Sequence, residues 1–170
     1  VDLLKSVQNP RLKTTTYDYD SSGNLTKVTS SLGHETTMTY DSSGRLTGRR
    51  DPRGNVPVTP TGYLTQWDYD EADHVATLTS PGDTDAGGSL TSYDYYDNGL
   101  LESVTRTDRG STSRVTSYEY DAANPLSKVS NPDGTSRTYT YNFRGQKLTD
   151  TISGPAPALG FYAVDVAADQ

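Results

Sequence analysis

Asp18-x-Asp20-x-Ser22-Gly23 has the alternating oxygen donors and late glycine that open a calcium loop, in which hard oxygens wrap a hard cation and the glycine permits a sharp bend. The twelfth position of such a loop requires a bidentate carboxylate, and here it is Thr29. Asp68, Asp70 and Asp73 form the densest carboxylate cluster, suited to an incidental cation at most. His34 and His74 each follow a turn, as surface residues do. Neither has a nucleophile elbow, a phosphate loop or a second histidine at metal-ligand spacing. Serine is abundant, yet no Ser/His/Asp set emerges from the spacing. The remaining chemistry is aromatic. Thirteen tyrosines and Trp67 offer flat faces that suit the C–H faces of sugars, with Trp67 the best single candidate for a glycan contact. The same rings would serve as the apolar face of a sheet. The chain therefore reads as non-enzymatic, with no cofactor.

The elements that position these residues are set by a recurrence. Tyr19, Tyr40, Tyr69, Tyr95, Tyr120 and Tyr141 are each followed six residues later by a large side chain: Leu25, Leu46, Val75, Leu101, Leu126 and Lys147. Two residues before each anchor stands Tyr17, Met38, Trp67, Tyr93, Tyr118 or Tyr139. The anchors lie 21, 29, 26, 25 and 21 residues apart, the period of a repeat architecture built from one small supersecondary unit.

The turn inside each unit can be read from its residues. Four after the anchor comes Gly23, Gly44, Asp73, Gly99, Asn124 or Gly145, the residue types that best tolerate a left-handed backbone. One after the anchor comes Asp20, Asp41, Asp70, Tyr96, Asp121 or Asn142, and Asp or Asn favours the first position of a type I turn. Together they predict a three-residue hairpin loop, a type I turn followed by a left-handed residue, which places Tyr19 opposite Leu25 and Tyr17 opposite Lys27. Return turns are expected at Leu32-Gly33, Arg53-Gly54, Pro81-Gly82, Arg109-Gly110 and Asp133-Gly134. The expected fold is all-β: tandem antiparallel hairpins forming one continuous curved or spiralling sheet, with tyrosine and leucine on one face and Thr, Ser, Asp and Lys on the other.

Leu, Ile, Val and Phe make up less than a fifth of the 170 residues, a share that by itself argues for disorder. Disorder also needs high net charge and few aromatics, whereas this chain has a net charge of -7 and rings at regular positions. Tyrosine takes the role that leucine has elsewhere. Without cysteine, disulfides and thiolate metal sites are excluded. A pI near 4.7 disfavours nucleic acid, since Arg49, Arg50 and Arg53 form the only basic knot, and no stretch suits membrane insertion. Insertions at 56–63 and 83–89 read as surface loops. Residues 1–152 read as the hairpin array. Residues 153–170 read as a Pro/Gly connector leading to an apolar stretch, Leu159 to Val166, that is a candidate docking strand. Leu4 and Val7 mimic Leu25 and Val28 without an anchoring tyrosine, so the chain reads as a segment of a longer protein.

The unit, best seen from Tyr17 through Asp18, Tyr19, Asp20, Gly23 and Leu25 to Thr29, resembles the YD repeat of the Rhs family of bacterial polymorphic toxins, shared with teneurins and the C components of Tc toxins. The resemblance covers roughly residues 1–152. It implies a secreted or surface protein whose hairpins build a hollow β-shell around a toxin polypeptide; carbohydrate binding is the alternative role. The sixth copy departs from the pattern, because Lys147 takes the apolar position and Leu148 follows one place late. The partners this implies are neighbouring repeats or other copies joined through open sheet edges, an enclosed polypeptide, or a surface glycan.

Overall fold

The computed structural model describes residues 2–55, 62–81, 88–108 and 112–155. The described residues form thirteen strands and one 3-10 turn at Pro52–Gly54. They divide into two compact units, Val1–Arg114 and Val115–Gln170. The first holds β1 (Ser6–Gln8), β2 (Thr14–Tyr19), β3 (Leu25–Thr29), β4 (Glu35–Tyr40), β5 (Leu46–Arg50), β6 (Leu64–Tyr69), β7 (Val75–Thr79), β8 (Leu90–Tyr95) and β9 (Leu101–Thr107). In the second, β10 (Arg114–Tyr120) is followed by β11 (Leu126–Ser130), β12 (Ser136–Tyr141) and β13 (Lys147–Ser153). Within each unit, strands that are consecutive in the chain pair antiparallel, so each unit is a meander of hairpins. The turns Pro81-Gly82 and Arg109-Gly110, most of the two insertions and the stretch from Leu159 to Val166 lie outside the described residues.

All six hairpin turns are built alike. The anchor's successor accepts from the residue three places on, as Asp20 O does from Gly23 N at 3.1 Å, and its own N–H closes the loop, as Asp20 N does to Asn24 O at 3.0 Å. The third loop residue is left-handed in each, with φ between 67° at Asp73 and 89° at Gly23. Where an aspartate or asparagine opens the turn, its carboxylate or amide oxygen takes over further backbone donors. Asp20 Oδ1 accepts from Ser22 N and Asn24 N, both at 2.9 Å, and Asp41 Oδ1 does the same with Ser43 N and Arg45 N. The return turns 9–13, 30–34 and 131–135 repeat this geometry, with Gly33 and Gly134 left-handed. At the equivalent place in the first of them stands Leu12, at φ 58°.

The register corrects one expectation. Tyr19 pairs with Leu25, but Tyr17 pairs with Val28 and not with Lys27, which sits opposite Asp18. The cause is a β-bulge: Thr26 is the extra residue on β3, so the ladder shifts by one between Asp18 and Tyr19. The same shift recurs in all six hairpins and sets Trp67 against Leu78, Tyr93 against Val104 and Tyr118 against Val129. The bulge thus gathers two apolar side chains spaced three apart onto the face that carries the two rings. The opposite face is laced by polar cross-strand contacts at the intervening position: Asp18 with Lys27 at 3.3 Å, Asp68 with Thr77 and Asp94 with Ser103 at 2.7 Å, and Glu119 with Lys128 at 2.9 Å. Among the described residues no hydrophobic side chain is fully buried; the rings and their aliphatic partners are half-buried on a sheet one layer thick.

A Cβ at Gly44 would meet nothing closer than Asn24 Oδ1 at 3.6 Å, so the cost of a side chain there is conformational and not steric crowding. Gly44→Val should lower unfolding free energy by about 1–2 kcal/mol, and Gly44→Asn by much less. Leu12, whose side chain is largely exposed, should behave oppositely: Leu12→Gly removes left-handed strain and raises stability by up to about 1 kcal/mol. Urea midpoints of the three variants check both signs.

Candidate functional site

The polar chemistry of this molecule is concentrated where one hairpin meets the next. Between β3 and β4 the ladder stops at Lys27↔Thr37, two residues short of Leu25. The carbonyl of Leu25 is left without a ladder partner, and the hydroxyl of Tyr40 donates to it at 2.8 Å. The arrangement repeats at each following joint within a unit. Tyr69 donates to Leu46 O at 2.8 Å, Tyr95 to Val75 O at 3.1 Å and Tyr141 to Leu126 O at 2.8 Å. In each case the ladder ends two residues before the accepting carbonyl, at Gly48↔Gln66, Thr77↔Ser92 and Lys128↔Thr138. An orphaned backbone carbonyl inside a sheet is costly, and the anchor tyrosine satisfies it from the neighbouring repeat.

A second contact runs beside the first. The residue just after the left-handed position folds back on the aspartate that opened its own turn and reaches the next anchor ring. Arg45 Nε bonds Asp41 Oδ2 at 2.7 Å, its guanidinium lies 4.6 Å from the Tyr69 ring centroid, and it also pairs with Asp73 of the next turn. His74 Nδ1 contacts Asp70 Oδ2 at 3.1 Å, and the imidazole stacks on Tyr95 with centroids 4.5 Å apart. His74 is therefore a joint residue, where the sequence pointed to a surface one. Asn24 Nδ2 bonds Asp20 Oδ2 at 2.9 Å in the corresponding place. His34 is exposed on its return turn.

The candidate cation loops are dispersed by these bonds. Asp18 faces Lys27 on the polar side of the sheet while Asp20 is engaged by Ser22 and Asn24 in the turn. Asp68 bonds Thr77, Asp70 bonds His74, and Asp73 bonds Arg45. No group of three metal-ligating side chains converges among the described residues. Hydrogen bonds from the Asn24 side chain and backbone hold Asp20 below the usual carboxylate range, and the Arg45 backbone N–H and guanidinium do so for Asp41. Trp67 is half-buried on the aromatic face, opposite Leu78.

Sequence reasoning placed the anchor rings but missed the hydroxyls. The signal was present: the position two before the anchor accepts Met38 and Trp67, whereas the anchor itself is tyrosine in all six copies and never phenylalanine.

The sixth hairpin differs. Tyr141 pairs with Lys147 and Tyr139 with Asp150, where the other hairpins place Leu or Val except for Arg49 opposite Met38. Arg137 grips Asp150 through two bonds at 2.5 and 2.7 Å, and Lys147 reaches the same carboxylate at 2.9 Å. Both cations lie against the Tyr139 ring, Arg137 at 5.6 Å and Lys147 at 5.3 Å from its centroid.

These features have known relatives. The model of the RHS Repeat family matches residues 1–34 and again 19–56. Residues 1–56 thus match the RHS repeat, and the hairpins beyond them repeat the same bulged register. No curated protein matches the sequence. Among solved structures, the crystal structure of TcdB2-TccC3-TEV matches with a TM-score of 0.67 at 18% identity, over 90% of this chain and 9% of that one. A Photorhabdus luminescens Tc holotoxin pore matches with a TM-score of 0.47 at 18% identity, over 86% of this chain and 9% of that one. TcdB2-TccC3 without its hypervariable C-terminal region gives 0.48 at 19% identity, over 84% and 9%. The chain thus spans about a tenth of the length of the solved chains it resembles. The first of these likenesses carries the fold: an all-β array of antiparallel hairpins.

Two titrations follow from the joints. Burial, and then the Asp20 carboxylate, push the Tyr40 hydroxyl above the ordinary phenol value; burial, Asp70 and Tyr93 do the same for Tyr95. Folding thus favours the neutral phenol, so this stability is complete below the ordinary phenol value and lost as pH climbs through the raised ones. Phenolate absorbance should show these two rings ionising late, with unfolding setting in over the same interval. At the acid end, bonds from Arg137 and then Lys147 hold Asp150 down at about 2, against an ordinary 3.8. Its contribution is present above the ordinary value and lost as pH falls from there towards about 2. Asp150→Asn should flatten the acid limb of the stability curve in that window.

Proposed function

We propose that this YD/Rhs array is a non-enzymatic wall segment of a secreted or cell-surface bacterial protein, and that it encloses, carries or displays another polypeptide. The observation that carries this reading is the one-layer sheet with two unlike faces. One face is laced with polar pairs fit for water. The other is a half-buried field of rings, Leu and Val with no second layer upon it within either unit among the described residues. The turn aspartates and anchor hydroxyls are engaged in hairpin turns and joints among the described residues, which suits a scaffold. The likeness to TcdB2-TccC3-TEV supports the fold part of this reading.

A photo-crosslinking side chain at Trp67, on the aromatic face, should capture a segment of the same full-length gene product, whereas one at Lys27, on the polar face, should not. Capture from Lys27 alone, or from neither, would overturn the enclosing role. The half-exposed aromatic face also favours one second reading, a glycan-binding module centred on Trp67. Glycan-array binding that disappears in a folded Trp67→Ala variant would put this reading first.

A further inference from the structure

At five of the six hairpins the aromatic face keeps an aliphatic residue opposite the anchor, and at four of those a second aliphatic residue lies opposite the preceding ring. The second hairpin admits one cation, Arg49 opposite Met38, and retains Leu46. The sixth replaces both aliphatic residues, with Lys147 and Asp150, and adds Arg137 to the same side. These are the positions beside which the next strand is laid at every joint described above. We propose that the hairpin of β12 and β13 is a polar cap, whose Arg137–Asp150–Lys147 network keeps β13 from accepting a further strand.

Three considerations lead there. At an ordinary joint the incoming anchor tyrosine sends its hydroxyl to the carbonyl of the aliphatic residue and packs its ring beside that pair. On β13 the same approach would cover a carboxylate and two cations, and withdrawing such ions from water costs several kcal/mol each before any attraction is recovered. Lysine on an edge strand and charges turned onto the apolar face are the means by which natural sheets blunt an edge. Repeat proteins likewise close their stacks with a unit whose exposed side is polar. Lys147 and Asp150 lie on β13 and Arg137 on its partner β12, so the network stands beside the edge that a further strand would have to use. Leu148 and Ile152 are also exposed on β13, but Leu148 is the bulge residue and Ile152 lies opposite Arg137, away from the place where the tyrosine joint is made. The inference goes beyond the wall reading, because it concerns which edge is shut and holds whatever the wall encloses.

The test uses the full chain and the double variant Lys147→Leu/Asp150→Val, which restores the aliphatic pattern of the other hairpins. Amide hydrogen exchange of 147–153 and sedimentation velocity are followed as concentration rises. In the unaltered chain those amides of 147–153 that are not bonded to β12 should stay unprotected at every concentration. In the double variant they should gain protection of tenfold or more, with a rising sedimentation coefficient. The single variant Lys147→Leu keeps the Arg137–Asp150 pair and should show a smaller gain, which keeps the test decisive should the double variant not fold. Concentration-dependent protection of β13 in the unaltered chain, or folded variants that associate no more than it does, would overturn the proposal.

Discussion

A tyrosine hydroxyl donating to a backbone carbonyl of the preceding hairpin is the constraint on which the rest of this molecule depends. At four joints the ladder to the next strand ends two residues short of a carbonyl that then has no sheet partner, and each such joint follows a bulged hairpin. The bulge cannot be dispensed with, because it is what turns both aliphatic side chains onto the ring-bearing face. Aromatic packing and backbone satisfaction are therefore one problem with one solution, supplied by the only common aromatic side chain that is both a ring and a strong donor at modest size. The turn residue beside it, Arg45 or His74, adds a contact from the opening aspartate to the same ring. With no fully buried hydrophobic side chain among the described residues, such joints do the work that a compact core does in a globule.

Much of this was legible in the sequence, and for identifiable reasons. Gly23, Gly44, Asp73, Gly99, Asn124 and Gly145 announce their turns because few residue types accept the left-handed backbone found there. The bulge was harder. Leu25 and Val28 are three apart, an odd spacing that no regular strand can place on one face, and read strictly it demands an extra residue between them. A turn-based register instead put Tyr17 opposite Lys27. The tyrosine joints were out of reach of pairing arguments because they connect residues 15 to 23 positions apart through side chain and backbone. Only the fixed identity of the anchor hinted at them. His74 was misjudged for the same reason, since its partner ring belongs to the following repeat.

The functional reading grows from the same asymmetry. A sheet that laces one face with ion pairs and hydroxyls and paves the other with half-covered rings is made for a boundary between water and something less polar. Each hairpin adds a similar strip, and a chain can lengthen such a wall without redesigning it. The YD/Rhs likeness and the geometry agree on this scaffold character. Charge on the sixth hairpin's aromatic face shows that the strips are not all alike.

The most direct measurement is equilibrium urea unfolding of the variant in which Tyr40, Tyr69, Tyr95 and Tyr141 are all phenylalanine, followed by Trp67 fluorescence. The rings remain and only four hydroxyls are lost. If the joints hold the array together, each loss costs about 1 kcal/mol and the midpoint falls sharply at unchanged denaturant slope. A midpoint equal to that of the unaltered chain would contradict the account, because ring packing alone would then suffice.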